Sequence, residues 1–191
     1  MNKIMKVWIQ REDTGFIDID LPTSPGDLQS TIDTFLMSDN MEDNPVYISD
    51  YEYLGKISYK EGEDLNLVDQ FTDVFSLNRK LNNIANSNNS DAAIALFIAD
   101  MITEDELDDL DYINACLDKY NPILLDENIF KYNKKIDDEY YWIILDMTNP
   151  DLSAFLSSNN AECYFDIKNY VEDNILGDAT VTSTGYLVWH Y

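Results

Sequence analysis

Basic residues are scarce in this chain of 191 residues, which has 12 Lys and Arg against 37 Asp and Glu. The formal net charge is −25 and the isoelectric point is about 4.1. Such a charge excludes unassisted binding to nucleic acid or to an anionic membrane surface. We therefore expect any macromolecular partner of this chain to be basic.

Glycine, histidine and cysteine are also too few, or too isolated, for several kinds of functional site. The 6 glycines form neither a GxGxxG nor a Walker-type loop. The single histidine, His190, stands between Trp189 and Tyr191, which indicates a structural or surface residue rather than part of a nucleophilic triad. Cys116 and Cys163 have no CxxC spacing and no nearby histidine, so we expect two buried free thiols.

Long hydrophobic runs are missing as well. The longest, residues 92–99, is too short to span a bilayer, and the first residues lack the apolar region of a signal peptide. We therefore expect a soluble, cytoplasmic protein. With 45% hydrophobic and 13% aromatic residues, the chain is too apolar for a disordered acidic segment, so we expect it to fold.

The acidic residues are spread along the whole chain. Four segments without Lys or Arg, residues 12–55, 61–78, 81–118 and 136–167, contain eleven, five, nine and seven acids. An acidic tail would concentrate like charge in one block, so here the folded body itself carries the negative field. The densest stretch, residues 100–111 (DMITEDELDDLD), holds seven carboxylates in twelve residues.

The first third of the sequence predicts a small sheet with one helix. Residues 3–10 and 15–21 alternate in the manner of strands. A helix is predicted from Ser24, because Pro25 occupies the first helical position and an aspartate follows where a capping box needs one. Residues 45–51 then return as a strand.

The middle of the sequence has a helical period. Apolar residues recur every three to four positions through residues 65–84. The polar stretch 86–90 then interrupts the pattern, and Ser90 is placed to cap the next helix. Thr103 and Glu106 form a further T-x-x-E capping box at the start of the acidic segment.

The last third mixes both kinds of element. Residues 140–145 (YYWIIL) are predicted as a buried strand, residues 149–156 as a short helix, residues 161–176 as a longer helix and the final residues as a hairpin that turns near 183–185. The predicted fold class is α+β with three small domains. Their boundaries are residues 1–64 (sheet plus helix), 65–118 (helical) and 119–191 (sheet plus helices).

Three functions could explain the many carboxylates. A calcium loop needs closely spaced ligands and usually a glycine, but residues 103–111 contain none, and helical phase directs their acids apart. A catalytic carboxyl pair stays open, because 37 acids supply many candidate pairs. The third function is competition with DNA for a basic groove. Because B-DNA carries one charge per ~1.7 Å, 25 net charges match ~40 Å of duplex, and a dimer would match ~80 Å, or about 25 base pairs.

The acidic segment and the second strand supply the first candidate partner-binding residues. Asp108, Asp109 and Asp111 lie beyond most of the reach of the predicted helix dipole and repel one another, so local stability does not require them. Strand alternation puts Asp18 and Asp20 on one face. We predict that these acids form part of a distributed footprint for a basic partner, together with three further acids of the segment: Glu104, Asp105 and Glu106.

Four parts of the sequence carry a family resemblance, in the same order along the chain. They are KVWIQ with GFIDIDLP (residues 6–22), YISDYEYLG (47–55), SLNRKLNNI (76–84), and YFDIKNYVEDNIL with TSTGYLVWHY (164–191). In these motifs and in its acidity, the chain resembles the ArdA-type antirestriction proteins of mobile genetic elements.

The resemblance implies an elongated, curved protein of three small domains, dimeric through the C-terminal one, whose surface carboxylates imitate bent B-DNA. Such proteins occupy the DNA-binding groove of type I restriction-modification enzymes and shield incoming mobile DNA. For this chain we expect binding rather than enzymatic activity, with no metal and no cofactor. Carried over to matching positions, the phosphate surrogates would be Asp50 and Glu52 in the DYE segment, and Asp166, Glu172 and Asp173 in the last helix.

One region departs from the family pattern. Residues 120–139 look like an insertion and contain a basic island, Lys131, Lys134 and Lys135. The resemblance therefore does not establish that the acidic surface is continuous in this region or that the dimer interface is the usual one of the family. The alternative function is an acidic, non-enzymatic module that binds another basic DNA-binding protein, such as a nucleoid protein, a repressor or a phage or plasmid regulator. A solvated acidic surface, or adaptation to salt, would also give this composition.

Overall fold

The part of the chain that the computed structural model describes comprises residues 3–11, 15–37, 46–54, 67–68, 72–125, 138–182 and 184–190. These residues form two three-stranded antiparallel sheets and seven α-helices. The fold is therefore α+β, as predicted. The division into three domains stays a prediction.

The first sheet has its first strand in the centre. Its strands are β1 (Met5–Arg11), β2 (Gly15–Leu21) and β3 (Val46–Tyr53), in the order β2-β1-β3. Helix α1 (Pro25–Met37) follows β2, and the hydroxyl of Ser24 accepts the N–H of Asp27 at 3.1 Å. The three predicted strands and the capped helix are confirmed.

The middle of the chain is helical, as predicted, but the helical period predicted from residue 65 is not followed by residues 67–68 and 72–73, since Asp73 caps the first helix by accepting the N–H of Ser76. It consists of α2 (Val74–Asn86), α3 (Ser90–Ile98), a 3-10 helix (Asp105–Asp108) and α4 (Leu110–Tyr120). The cap of α3 lies one residue earlier than predicted, because the side chain of Asn89, not Ser90, accepts the N–H of Ala92 at 3.1 Å.

The prediction of a strand at residues 140–145 was wrong, since these residues lie inside helix α5 (Asp138–Thr148). Tyr141, Ile144 and Leu145 are buried, which is the i, i+3, i+4 spacing of a helix face. The intervening aromatic and aliphatic residues pack around the same core. A short run that is apolar on every side has no period with which to distinguish helix from strand.

The segment from 161 to 176 is interrupted rather than one long helix. Helix α6 (Pro150–Ser158) is capped by Asn149 as predicted, and a 3-10 helix (Glu162–Tyr164) follows it. Asp166 then begins a new helix, α7 (Ile167–Asn174), by accepting the N–H of Asn169 at 3.2 Å. A side chain that satisfies the first amide groups of a helix marks its start, so the helix cannot continue through this residue.

The second sheet closes the chain. It contains β4 (Ile123–Leu124), β5 (Ala179–Val181) and β6 (Tyr186–Trp189), in the order β4-β6-β5. The predicted C-terminal hairpin is confirmed by the antiparallel pairing of β5 with β6. Gly185 adopts a φ of 81°, a left-handed conformation that suits glycine in the turn.

Buried side chains form two clusters that meet at β6. The first joins the N-terminal sheet, α1 and the middle helices, and the second joins α5, α6, α7 and the C-terminal sheet. Tyr186 and Val188 belong to the first cluster, whereas Leu187 belongs to the second. Alternation along this strand therefore connects the two cores.

Candidate interaction surface

The N-terminal sheet places four of the predicted surrogates on its outer face. Asp18 and Asp20 pair in register with Trp8 and Lys6 of β1, and the ammonium group of Lys6 lies 3.4 Å and 3.7 Å from their carboxylates. Hydrogen bonding to Asp18, with the charge of Asp20, raises the pKa of Lys6 above its ordinary value. The predicted common face of the two aspartates is confirmed, with one lysine partly neutralising both.

A bulge in β3 brings the other two carboxylates to this face. The register shifts between Trp8 and Ile9, so that Trp8 pairs with Asp50, Lys6 pairs with Glu52, and Ser49 is the extra residue. The hydroxyl of Ser49 donates to the carbonyl of Trp8 at 3.1 Å. Because Ser49 is skipped in the pairing, Asp50 and Glu52 lie on the same outer face as Tyr47, although they are an odd number of residues away from it.

The acidic segment after α3 forms half of the predicted capping box, because the Glu106 side chain binds Thr103, whereas the N–H of Glu106 donates to the backbone carbonyl of Thr103 and not to its hydroxyl. A carboxylate oxygen of Glu106 accepts both the backbone N–H and the hydroxyl of Thr103, each at 2.8 Å. Hydrogen bonds from the Thr103 backbone, then from the hydroxyls of Tyr112 and Thr103, lower the pKa of Glu106. The same contact with Glu106 raises the pKa of Tyr112. Glu106 thus acts inside the fold as well as on its surface.

Two bases on α2 hold this segment against the helix. The guanidinium group of Arg79 donates to both carboxylate oxygens of Asp108, at 2.8 Å and 3.0 Å, and lowers the pKa of Asp108. The ammonium group of Lys80 lies 2.5 Å from Glu104. The Lys80 side chain is only 9% exposed, whereas that of Glu104 is 49% exposed.

The prediction that local stability does not require Asp108, Asp109 and Asp111 was wrong. The chain forms a 3-10 helix and then a second helix, and Asp109 caps that second helix by accepting the N–H groups of Asp111 at 3.0 Å and Tyr112 at 3.1 Å. Asp111 lies in the first turn of α4, where the helix dipole favours a negative charge. Asp108 has its ion pair with Arg79.

The C-terminal surrogates lie on or beside α7. Asp166 is the cap of this helix, and its second carboxylate oxygen accepts the side-chain amide of Asn169 at 2.6 Å. Glu172 accepts the hydroxyl of Tyr141 at 2.8 Å and lies 3.9 Å from the ammonium group of Lys168. Asp173 is exposed.

The thirteen predicted surrogates therefore divide into two groups. All are exposed except Glu106, which is half-buried. Five form ion pairs with lysine or arginine: Asp18, Asp20, Glu104, Asp108 and Glu172. Within the described ranges, the other eight have no such ion pair: Asp50, Glu52, Asp105, Glu106, Asp109, Asp111, Asp166 and Asp173.

The remaining candidate residues show no arrangement for chemistry. The ring of His190 is exposed and hydrogen-bonds to Thr180 at 2.6 Å. Cys116 is buried as predicted, but the prediction for Cys163 was wrong, since Cys163 is exposed in the 3-10 helix before α7, which buries none of its residues. No three His, Cys, Asp or Glu side chains of the described residues are grouped to hold a metal ion.

Two further observations concern the region around residue 130 and the membrane. The island of Lys131, Lys134 and Lys135 lies outside the described residues. Among the helices that the structure describes, none combines the length and the apolar character needed to cross a bilayer.

Sequence reasoning missed the bases and aromatic residues that accompany these carboxylates. Arg79 and Lys80 are the only bases between residues 61 and 118, and that isolation among acids was the available signal. Phe16 and Tyr47 are 68% and 41% exposed on the face that carries Asp18 and Asp50, which only the register reveals. Comparison with protein-family models, with curated proteins and with solved structures gives no match to this chain.

Proposed function

We propose that this chain is an antirestriction protein, an acidic mimic of B-DNA that occupies the DNA-binding groove of type I restriction-modification enzymes. In this role it protects incoming mobile DNA in the cytoplasm, and it acts by binding, without catalysis, metal or cofactor. The proposal extends the resemblance found in the sequence to the exposed carboxylates of the folded chain.

One observation carries the proposal: carboxylates are exposed on the N-terminal sheet, on the acidic segment of the middle and on α7, with few bases to neutralise them. A DNA-binding groove recognises phosphates through arginine and lysine, largely by charge. Negative groups distributed over several elements can therefore satisfy such a groove, whereas a single acidic loop would fill only part of it.

The ion pairs refine which carboxylates serve as surrogates. An acid already bound to a lysine or arginine offers less net charge to a partner, so the eight acids without an ion pair to another described residue carry most of the proposed contact. Asp108 and Glu104 instead fix the acidic segment to α2, which holds Asp105, Asp109 and Asp111 in place. A prepositioned segment loses less conformational entropy on binding.

Cleavage of unmodified plasmid by a purified type I restriction enzyme, with this protein titrated in, tests the proposal. We expect stoichiometric inhibition at low salt that weakens at high salt, because counterions compete with a mainly electrostatic contact. Unimpaired cleavage at both salt concentrations would contradict the restriction target. Capture of a different basic DNA-binding protein by the same chain would then support the alternative partner.

A further inference from the structure

The outer face of the N-terminal sheet combines aromatic side chains with carboxylates in three cross-strand rows. The rows run from β2 across β1 to β3: Phe16, Gln10, Tyr47; Asp18, Trp8, Asp50; Asp20, Lys6, Glu52. The opposite face of β1, with Met5, Val7 and Ile9, is buried in the core. Directly opposite residues in such rows have their Cβ atoms ~5 Å apart, so neighbouring side chains form one continuous surface.

This face exposes aromatic side chains to solvent, and a mimic that binds by charge alone does not need them. Phe16 is 68% exposed and Tyr47 is 41% exposed, while Trp8 is half-buried between Asp18 and Asp50. A single exposed aromatic residue is ordinary, but three on one small face, with acids beside them, form a patch. Trp and Tyr are also the residue types that dominate binding energy at protein interfaces.

The charge of the face selects its partner. Among the described residues, four carboxylates, Asp18, Asp20, Asp50 and Glu52, lie beside two bases, Lys6 and Lys3, whose ammonium group donates to the Asp20 carbonyl at 3.0 Å, so the face carries a net charge of −2 (four negative, two positive). A cation is therefore attracted to it. Among protein cations, the planar guanidinium of arginine can stack on an aromatic ring while donating hydrogen bonds to a carboxylate, which the compact ammonium of lysine does less well.

We propose that this face is an arginine-docking surface, on which guanidinium groups of a basic protein partner stack against Phe16, Trp8 and Tyr47 and pair with the flanking aspartates. The inference rests on the proposed function, since it adds a chemical preference to one part of the same contact surface. It assigns this sheet a stacking component of binding in addition to its salt-sensitive ion pairs.

Peptide binding tests the preference without any restriction enzyme. Fluorescently labelled nonaarginine and nonalysine have the same charge, and each is titrated with the full chain while anisotropy is recorded. We expect nonaarginine to bind at least about threefold more tightly, in the range of a cation–π contact. The indole N–H resonance of Trp8 should shift with nonaarginine. Equal affinity of the two peptides, or an unmoved Trp8 resonance, overturns the inference.

Matched variants locate the effect. The double change Phe16→Ala and Tyr47→Ala alters two exposed side chains and keeps Trp8, so it should reduce the arginine preference, leaving nonalysine affinity within about twofold. Phe155→Ala is the control, because Phe155 is 60% exposed but lies on α6. It should leave the preference intact, and an equal loss in both variants overturns the assignment to this face.

The failures of the two proposals are distinguishable. If the wild-type chain inhibits the restriction enzyme but the double variant inhibits equally well at every salt concentration, the docking surface is wrong and the proposed function stands. If the wild-type chain prefers nonaarginine but does not inhibit the enzyme, the proposed function is wrong and the docking surface stands.

Discussion

The ion pair between Lys80 and Glu104 gives the sharpest stability prediction. Glu104→Gln removes the carboxylate and leaves the Lys80 ammonium, whose side chain is 9% exposed, without its charged partner. Breaking a fully buried pair costs about 3–5 kcal/mol, and we reduce this to about 1–3 kcal/mol because the Glu104 side chain is 49% exposed. For a chain of this size, that loss lowers the melting temperature by about 2–12 °C.

Two further variants make the prediction specific. Lys80→Met removes the buried charge and leaves a carboxylate that water can already reach, so we expect a cost below about 1 kcal/mol. Asp105→Asn is the matched control, since Asp105 is an exposed neighbour without an ion pair to another described residue, and we expect a change within about 0.5 kcal/mol.

Urea unfolding followed by circular dichroism measures all three variants against the wild type. The expected order of destabilisation is Glu104→Gln first, with Lys80→Met and Asp105→Asn well behind it. If Glu104→Gln costs no more than Asp105→Asn, then water, rather than Glu104, compensates the charge of Lys80, and the acidic segment is not fixed to α2 as described.

Three other predictions concern the same segment. Asp109→Ala should destabilise the fold by about 1 kcal/mol, whereas Asp109→Asn, which keeps a capping side chain, should cost about a few tenths of a kcal/mol. Equal urea midpoints for the two variants would refute the capping role of Asp109. Because the folded-state pKa of Asp108 lies below its ordinary value of 3.8, the ion pair contributes stability above that value and loses it as the pH falls further. In the Arg79→Met variant, the free energy of unfolding should therefore fall less steeply than in the wild type as the pH drops below 3.8. An unchanged slope would refute this contribution of the ion pair. Combined Asp105→Asn, Asp109→Asn and Asp111→Asn should weaken inhibition of restriction and lower its log–log salt slope by about 2–3, while each single change has about a twofold effect or less; loss of all inhibition from one change would indicate a catalytic site instead.

The sequence predicts elements well where one face is polar. Strand β2 alternates its aspartates with apolar residues, and α2 carries a clear apolar stripe, so both were found. Helix α5 was missed because Tyr140, Trp142 and Ile143 pack against the core on the flanks of its buried residues. No polar stripe is left there to show the period.

The candidate surface was predictable only in part. The positions of acids are visible in the sequence, but their partners are not. Arg79 reaches Asp108 across 29 residues, and Lys80 reaches Glu104 across 24. The bulge at Ser49 likewise decides which way Asp50 and Glu52 face, and it depends on pairing with β1 rather than on local sequence. Charge could be counted in advance, whereas its neutralisation follows from tertiary contacts.

Competition between this chain and DNA for one groove tests the central proposal most directly. A fluorescent unmodified duplex that carries the recognition site is bound to a purified type I restriction-modification enzyme, and the full chain is added at several salt concentrations. We predict complete, stoichiometric displacement of the duplex, with the affinity of the chain falling linearly on a log–log plot against salt. Simultaneous binding of the duplex and the chain, or no binding of the chain to the enzyme, would contradict the proposal that this protein imitates DNA.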